Sequence, residues 1–221
     1  NSATEFLDQE LIDDKTRSLS LFTSYNTYDG WGGNNAVLFT ISKGLDVFDA
    51  TETGSAGLSR REGRSDYFTS KIDISRRQDF GQALQLFTSA TAQYAPHPLL
   101  SSKEIGYGGT AYGRAYDPSE ITGDQGVMAA VELRYNDLPS IEGLNAGLIP
   151  FAFYDIGKVW NHDQGGEPQS AASAGIGSYY YVGNSVSGSL QVAYPLTRDV
   201  GTPIMNGENG PRILWSIDAS F

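Results

Sequence analysis

The amino-acid sequence predicts an all-β protein, a transmembrane antiparallel β-barrel that crosses the bilayer with strands. Nine segments alternate apolar residues with small or polar ones at period two, and no convincing helical stripe competes with them. Aromatic residues stand near segment ends, at Tyr25, Tyr94, Tyr135, Trp160, Tyr194 and Trp215, as a membrane girdle requires. Short connections at Asp79–Gln82 and Gly183–Ser185 contrast with long ones at Pro96–Gln125, Asn161–Gln169 and Thr197–Gly210, and the chain ends on an aromatic, Phe221. Alternation by itself also fits a water-soluble β-sandwich. The aromatics, the loop lengths and the terminal strand favour the barrel.

The nine segments follow in order. Leu19, Leu21, Thr23 and Tyr25 share one face of the first, and Val37, Phe39 and Ile41 one face of the second. Ser70, Ile72 and Ile74 oppose Lys71, Asp73 and Ser75 in the third, and Leu84, Leu86 and Thr88 oppose Gln85, Phe87 and Ser89 in the fourth. In the fifth, Val127, Val131, Leu133 and Tyr135 oppose Met128, Glu132 and Arg134. Leu148, Ala152, Tyr154 and Ile156 oppose Phe153, Asp155 and Gly157 in the sixth. Ala172–Tyr180, Val186–Tyr194 and Ile213–Phe221 complete the set. Each approaches the ~9–11 residues of a tilted membrane strand. The expected lipid-facing side chains include Leu84, Leu86, Val131, Tyr154, Ile176, Val192, Trp215 and Ile217. Gln85, Glu132, Asp155 and Ser216 are expected to face the lumen.

Composition agrees. The 221 residues suffice for one domain, and 26 glycines with 3 Trp, 13 Tyr and 10 Phe suit a sheet protein with many turns. A net charge of −11 argues against nucleic acid, and it also fits a surface that is simply kept soluble. Cysteine is absent, which excludes a disulfide framework, a zinc thiolate site and a thiol nucleophile. No apolar run approaches the ~20 residues of a membrane helix, so a membrane-spanning form must be a closed barrel. The chain opens at Asn1 without a leader pattern, and any signal peptide is expected to be removed or to lie upstream.

The connection 96–125 is too long to be structureless in a compact domain. It is rich in Gly and Tyr and carries Arg114 near its middle. Such a segment should pack against something, and in a barrel the available space is the lumen. Asp155, inward on the sixth segment with Phe153 and Gly157, is the expected landing site for Arg114. A bidentate Arg–carboxylate bond fixes direction as well as position, which suits a latch, and a wet lumen would screen the pair.

At these residues the chain resembles the barrel of the two-partner secretion transporters, the TpsB family. The resemblance rests on Ala92-Gln93, Pro98-Leu99, Glu104, Gly108-Gly109, Gly113-Arg114-Ala115-Tyr116, Gly123-Asp124-Gln125-Gly126 and Glu132-Leu133, followed by Phe153-Tyr154-Asp155-Ile156-Gly157. Where the family has Val-Arg-Gly-Phe/Tyr, this chain has Gly113-Arg114-Ala115-Tyr116, which changes the neighbours of the arginine. The resemblance implies an outer-membrane transporter of a Gram-negative bacterium, not an enzyme, that exports a TpsA-type exoprotein of the haemolysin or adhesin kind. It implies no cofactor; outer-membrane lipids and the barrel assembly machinery are the further partners. Residues 1–221 would be the C-terminal part of the barrel, about nine of about sixteen strands, with the first strands and the POTRA domains outside this chain. Phe221, with Trp215 and Ile217, is similar to the family's C-terminal insertion signal.

The same residues admit other assignments. Glu132 and Arg134 read as an ordinary lumen charge ladder ahead of a gating pair. Asp124, between Gly123 and Gly126, is placed to close a turn through its own backbone as well as being a motif position. Gly106–Ala111 matches a dinucleotide loop only superficially, because no helix follows it. His97 and His162 lack metal-ligand spacing, and there is no GxSxG elbow. A BamA- or TamA-like assembly factor, or a passive or enzymatic outer-membrane barrel, are the alternatives.

Overall fold

A computed structural model describes residues 2–6, 9–55, 57–140, 143, 145–162, 167–201 and 210–220. Two strands, β1 (Ser2–Phe6) and β2 (Gln9–Asp14), pair as a hairpin of their own. The main sheet contains β3 (Ser18–Tyr28), β4 (Gly33–Gly44), β5 (Phe68–Phe80) and β6 (Leu84–Tyr94). The chain then passes through a short 3-10 turn (Ser101–Lys103) and a small hairpin, β7 (Ile105–Tyr107) with β8 (Ile121–Gly123). The sheet resumes with β9 (Gln125–Tyr135), β10 (Ala146–Trp160), β11 (Gln169–Val182), β12 (Val186–Pro195) and β13 (Arg212–Ala219).

All nine predicted segments lie in this single antiparallel sheet, ordered β13-β12-β11-β10-β9-β6-β5-β4-β3. β6 and β9 pair directly, from Leu84↔Tyr135 to Gln93↔Gly126, so the whole 95–124 connection is an excursion from one hairpin. The hairpins β1–β2 and β7–β8 escape the periodicity. Their strands are short, and β7 and β8 contain Gly106 and Gly123 where an alternating pattern would need side chains.

The two faces of the sheet decide what surrounds it. Leu84, Val131, Tyr154, Ile176, Trp215 and Ile217 are exposed, with Leu86 and Val192 half-buried on the same face. On the opposite face Glu132 and Asp155 are buried and Gln85 is half-buried. A water-soluble sandwich would show the reverse, apolar face covered and polar face wet. An exposed apolar face against a covered polar one is the arrangement of a sheet in lipid. Ser216, at the edge of the sheet, is exposed and hydrogen-bonds Ser189.

Connections 45–67, 95–124, 161–168 and 196–211 leave one end of the sheet, and 29–32, 81–83, 136–145 and 183–185 leave the other, where only 136–145 exceeds four residues. Tyr94, Trp160 and Tyr194 mark the long-loop end, and Tyr135 the opposite one. Trp215 departs from the expected girdle, since it lies mid-strand opposite Leu190. Phe221 lies outside the described residues. The main core forms between the 95–124 excursion, through Ile105, Tyr107, Tyr116 and Ile121, and the inner face of the sheet, through Phe151, Phe153 and Val159.

Candidate functional site

The excursion carries a tight turn to the inner wall. Tyr116 N–H donates to the Gly113 carbonyl at 2.8 Å, closing a turn over Gly113–Tyr116. Gly113 has φ +80°, a conformation that costs a side-chain-bearing residue strain. This backbone directs the N–H groups of Gly113 and Arg114 at Asp155 Oδ2, at 3.2 and 3.0 Å. The Arg114 side chain returns to the same carboxylate, Nε to Oδ2 at 3.2 Å and Nη2 to Oδ1 at 3.1 Å. Ser173 Oγ adds a fifth donor at 3.3 Å. Asp155 is fully buried, so these donors replace all its water.

A second carboxylate completes the guanidinium. Arg114 Nη1 donates to Glu132 Oε2 at 2.6 Å, while Arg134 Nε and the Tyr179 hydroxyl donate to Glu132 Oε1 at 2.8 and 2.9 Å. Phe153 stands under the cation, 3.6 Å from its central carbon to the ring centroid. Glu132 and Phe153 are register partners on β9 and β10, which is why both reach one guanidinium. Arg114 and Glu132 are only 6% and 3% exposed, so the pair is dry. The expectation of a screened contact in a wet lumen is thereby corrected: the loop itself excludes the water.

Aromatic packing seats the rest of the turn. A Cβ on Gly157 would lie 2.2 Å from the Tyr107 ring, and one on Gly113 would lie 2.6 Å from the same ring. The Tyr116 hydroxyl donates to the Ala172 carbonyl at 3.0 Å. Burial pushes the Tyr107 and Tyr112 phenols above their usual range, which keeps both neutral.

With that geometry in place, the comparisons identify its class. The family of haemolysin secretion/activation proteins ShlB/FhaC/HecB matches residues 1–180. The chain belongs to this family. It is a family of outer-membrane β-barrels of two-partner secretion. Among solved structures, CdiB from Escherichia coli is similar at 20% identity and a TM-score of 0.78, over 97% of this chain and 39% of that one. The chain thus spans 39% of the length of the structure it matches. No curated protein matches it.

Within this haemolysin secretion/activation barrel, the structure brings Arg114, Tyr116, Phe153, Asp155 and Gly157 together. It adds Glu132, which sequence reasoning left on a charge ladder, and Arg134 as that residue's second partner. The signal was available: Glu132 is inward on β9, one strand from Phe153. Gly108 and Gly109 follow β7 and begin the turn region, with Gly109 N–H donating to the Tyr116 carbonyl at 3.2 Å. Gly123 ends β8 close to Trp160, and Gly126 opens β9 against Ile105. Trp215 and Ile217 lie apart from this cluster, on the outer face of β13.

Asp124 does not close a turn on itself. Its carboxylate accepts Leu99 N–H at 2.6 Å, His162 N–H at 2.8 Å and Arg60 Nη1 at 2.6 Å, and it is fully buried. Arg60 also donates to Glu104 Oε1 at 2.9 Å and to the Leu99 carbonyl at 3.0 Å. Asp14 accepts from the backbone and hydroxyl of the adjacent Ser59. The 45–67 connection is therefore tied to the base of the excursion as firmly as Arg114 ties its tip. Nothing in the sequence links Arg60 to Asp124, 64 positions away. Both clusters bind and orient backbone; neither offers an activated nucleophile, and no group of His, Cys, Asp or Glu among the described residues is arranged to hold a metal.

Proposed function

We propose that this chain is the C-terminal part of an outer-membrane transporter of a Gram-negative bacterium, exporting a large β-helical exoprotein of the haemolysin or adhesin type. The remaining strands and POTRA domains would belong to the same protein. Its working partners are that exoprotein, the surrounding lipids and, during insertion, the barrel assembly machinery. The observation that carries the reading is the seating of Arg114 on two buried carboxylates of the inner wall. A loop held by directional bonds has one well-defined closed position and can leave it as a unit. Export requires that position to be vacated, so the Arg114–Asp155–Glu132 cluster acts as the latch on the translocation path. Tyr107, Tyr116 and Phe153 shape the seat, and Gly157 leaves it room.

The test is secretion of the partner exoprotein by cells carrying the full-length transporter. Arg114→Ala should impair export while the variant still reaches the outer membrane and resists unfolding by detergent at ambient temperature. Wild-type secretion by that variant would sink the latch. A protein that assembles other outer-membrane barrels but exports no partner would point instead to an assembly factor.

A further inference from the structure

An apolar groove runs along the outer face of β5, β6, β9 and β10. Its floor consists of Ala90 and Ala92 on β6 and Ala129 on β9, and its walls are Ile72 and Ile74 on one side and Ile156 on the other. The register aligns these residues in two rows, Ile74–Ala90–Ala129–Ile156 and Ile72–Ala92–Val127–Lys158. Three alanines in a field of isoleucine and valine leave a hollow of about 380 Å3 on this face.

One end of the hollow is closed by Lys158. This residue shares the outward face of β10 with Tyr154 and Ile156, yet no carboxylate among the described residues pairs with it. Its ammonium sits 5.6 Å from the centroid of the Trp160 ring, toward the long-loop end of the sheet. Other cations on this face of neighbouring strands are satisfied: Lys43 donates to the Asp66 carbonyl, and Arg76 is paired with Asp29. A lipid-facing lysine turns toward the interface, where tryptophan concentrates and where headgroups lie. The charge there is positive and has no carboxylate partner among the described residues.

We propose that this groove is a binding site for a glycerophospholipid with an anionic headgroup. One acyl chain lies over Ala90, Ala92 and Ala129, and the phosphate sits on Lys158. The site rests on the membrane-barrel reading above. The alanine floor accepts a chain that bulkier residues would exclude, and the unpaired ammonium selects the headgroup charge.

The experiment uses full-length protein purified in detergent and mixed with dioleoylphosphatidylglycerol or dioleoylphosphatidylcholine, with retained lipid counted by native mass spectrometry. Phosphatidylglycerol should be retained about fivefold better, the factor expected of one lysine near an anionic headgroup. Lys158→Gln should remove that preference and leave a folded barrel; Ala129→Leu should lower retention of both lipids. Equal retention of the two lipids by the native protein overturns the proposal, as does an unchanged preference in Lys158→Gln or unchanged retention in Ala129→Leu. A dimer cross-linked through this face without lipid assigns it to a second copy and overturns it too. Insertion into vesicles is measured separately. Failure to insert removes the barrel reading and the site with it, whereas insertion without lipid preference removes the site alone.

Discussion

Tyr107 and Gly157 meet across the inner wall so closely that a methyl group on the glycine would lie 2.2 Å from the tyrosine Cδ2. Both the excursion and β10 are held by many other bonds, so neither can yield by that amount without opening the seat. Gly157→Ala should therefore loosen the docked loop although it adds a single carbon. Limited proteolysis of the assembled protein should show new cleavage within 96–125. Gly30→Ala, where the added carbon meets nothing within 4 Å, is the control and should be silent. Equal protection of the two variants would show that the wall yields.

Arg114 is the centre of a three-residue unit, and its removal should cost more than a surface ion pair would. Arg114→Ala leaves Asp155 buried without its cation and Glu132 with Arg134 alone, a change of about 3–5 kcal/mol in such settings. Asp155→Ala should have a similar effect on export, and the double variant should be little worse than either single one, because both remove the same contact. Arg114→Lys should not restore export. An ammonium cannot span Asp155 Oδ1 and Oδ2 and Glu132 Oε2 as the planar guanidinium does. Secretion assays beside measured membrane levels separate these outcomes from misassembly, and additive losses in the double variant would contradict the unit.

The hydroxyl of Tyr116 should matter much less than its ring. Its acceptor, the Ala172 carbonyl, also receives Leu196 N–H at 2.9 Å, so Tyr116→Phe strands no buried acceptor. The expected loss is about 0.5–1.5 kcal/mol, enough to raise hydrogen exchange in the loop but not to halt export. Tyr116→Ala should empty a fully buried site and behave like Arg114→Ala. Exchange rates at Gly113–Tyr116 distinguish the two.

The base of the loop should respond independently of its tip. Asp124→Ala removes the acceptor shared by Leu99 N–H, His162 N–H and Arg60, and should free the 45–67 connection while Arg114 stays seated. Trypsin cleavage at the exposed Arg61 should then rise. A variant that loosened base and tip together would show instead that the two anchors act as one.

Period two located every strand of the main sheet, because one face meets lipid and the other carries small or polar residues, which keeps the alternation clean from Leu19 to Ile217. The landing of Arg114 on Asp155 was legible for a local reason: the single cation of the glycine-rich 106–126 stretch faces one inward carboxylate on the sixth segment. Glu132 was harder to read, since its adjacency to Phe153 depends on register, and register is set by pairing rather than by either strand alone. Arg60 was illegible. Its partner is 64 residues distant, and its loop has neither period nor motif. The dryness of the Arg114 cluster was likewise invisible, because it follows from how Tyr107, Tyr116 and Phe153 pack and not from any residue taken singly.

The last strand offers a test in which one residue decides the outcome. Trp215 and Ile217 point to the outer face of β13, where both are largely exposed, while Ser216 between them turns inward to Ser189. Lysine at 215 or 217 would place a charge against hydrocarbon, costing about 2–4 kcal/mol near mid-membrane. Lysine at 216 meets the polar interior and should cost little. Trp215→Lys and Ile217→Lys should consequently lower the amount of folded protein in the membrane, with export per assembled molecule unchanged, and Ser216→Lys should accumulate normally. The comparison is internally controlled, since the three substitutions share charge, strand and near-identical depth and differ only in face. A fall for Ser216→Lys with normal levels of the other two would mean that the register of β13 is shifted by one residue.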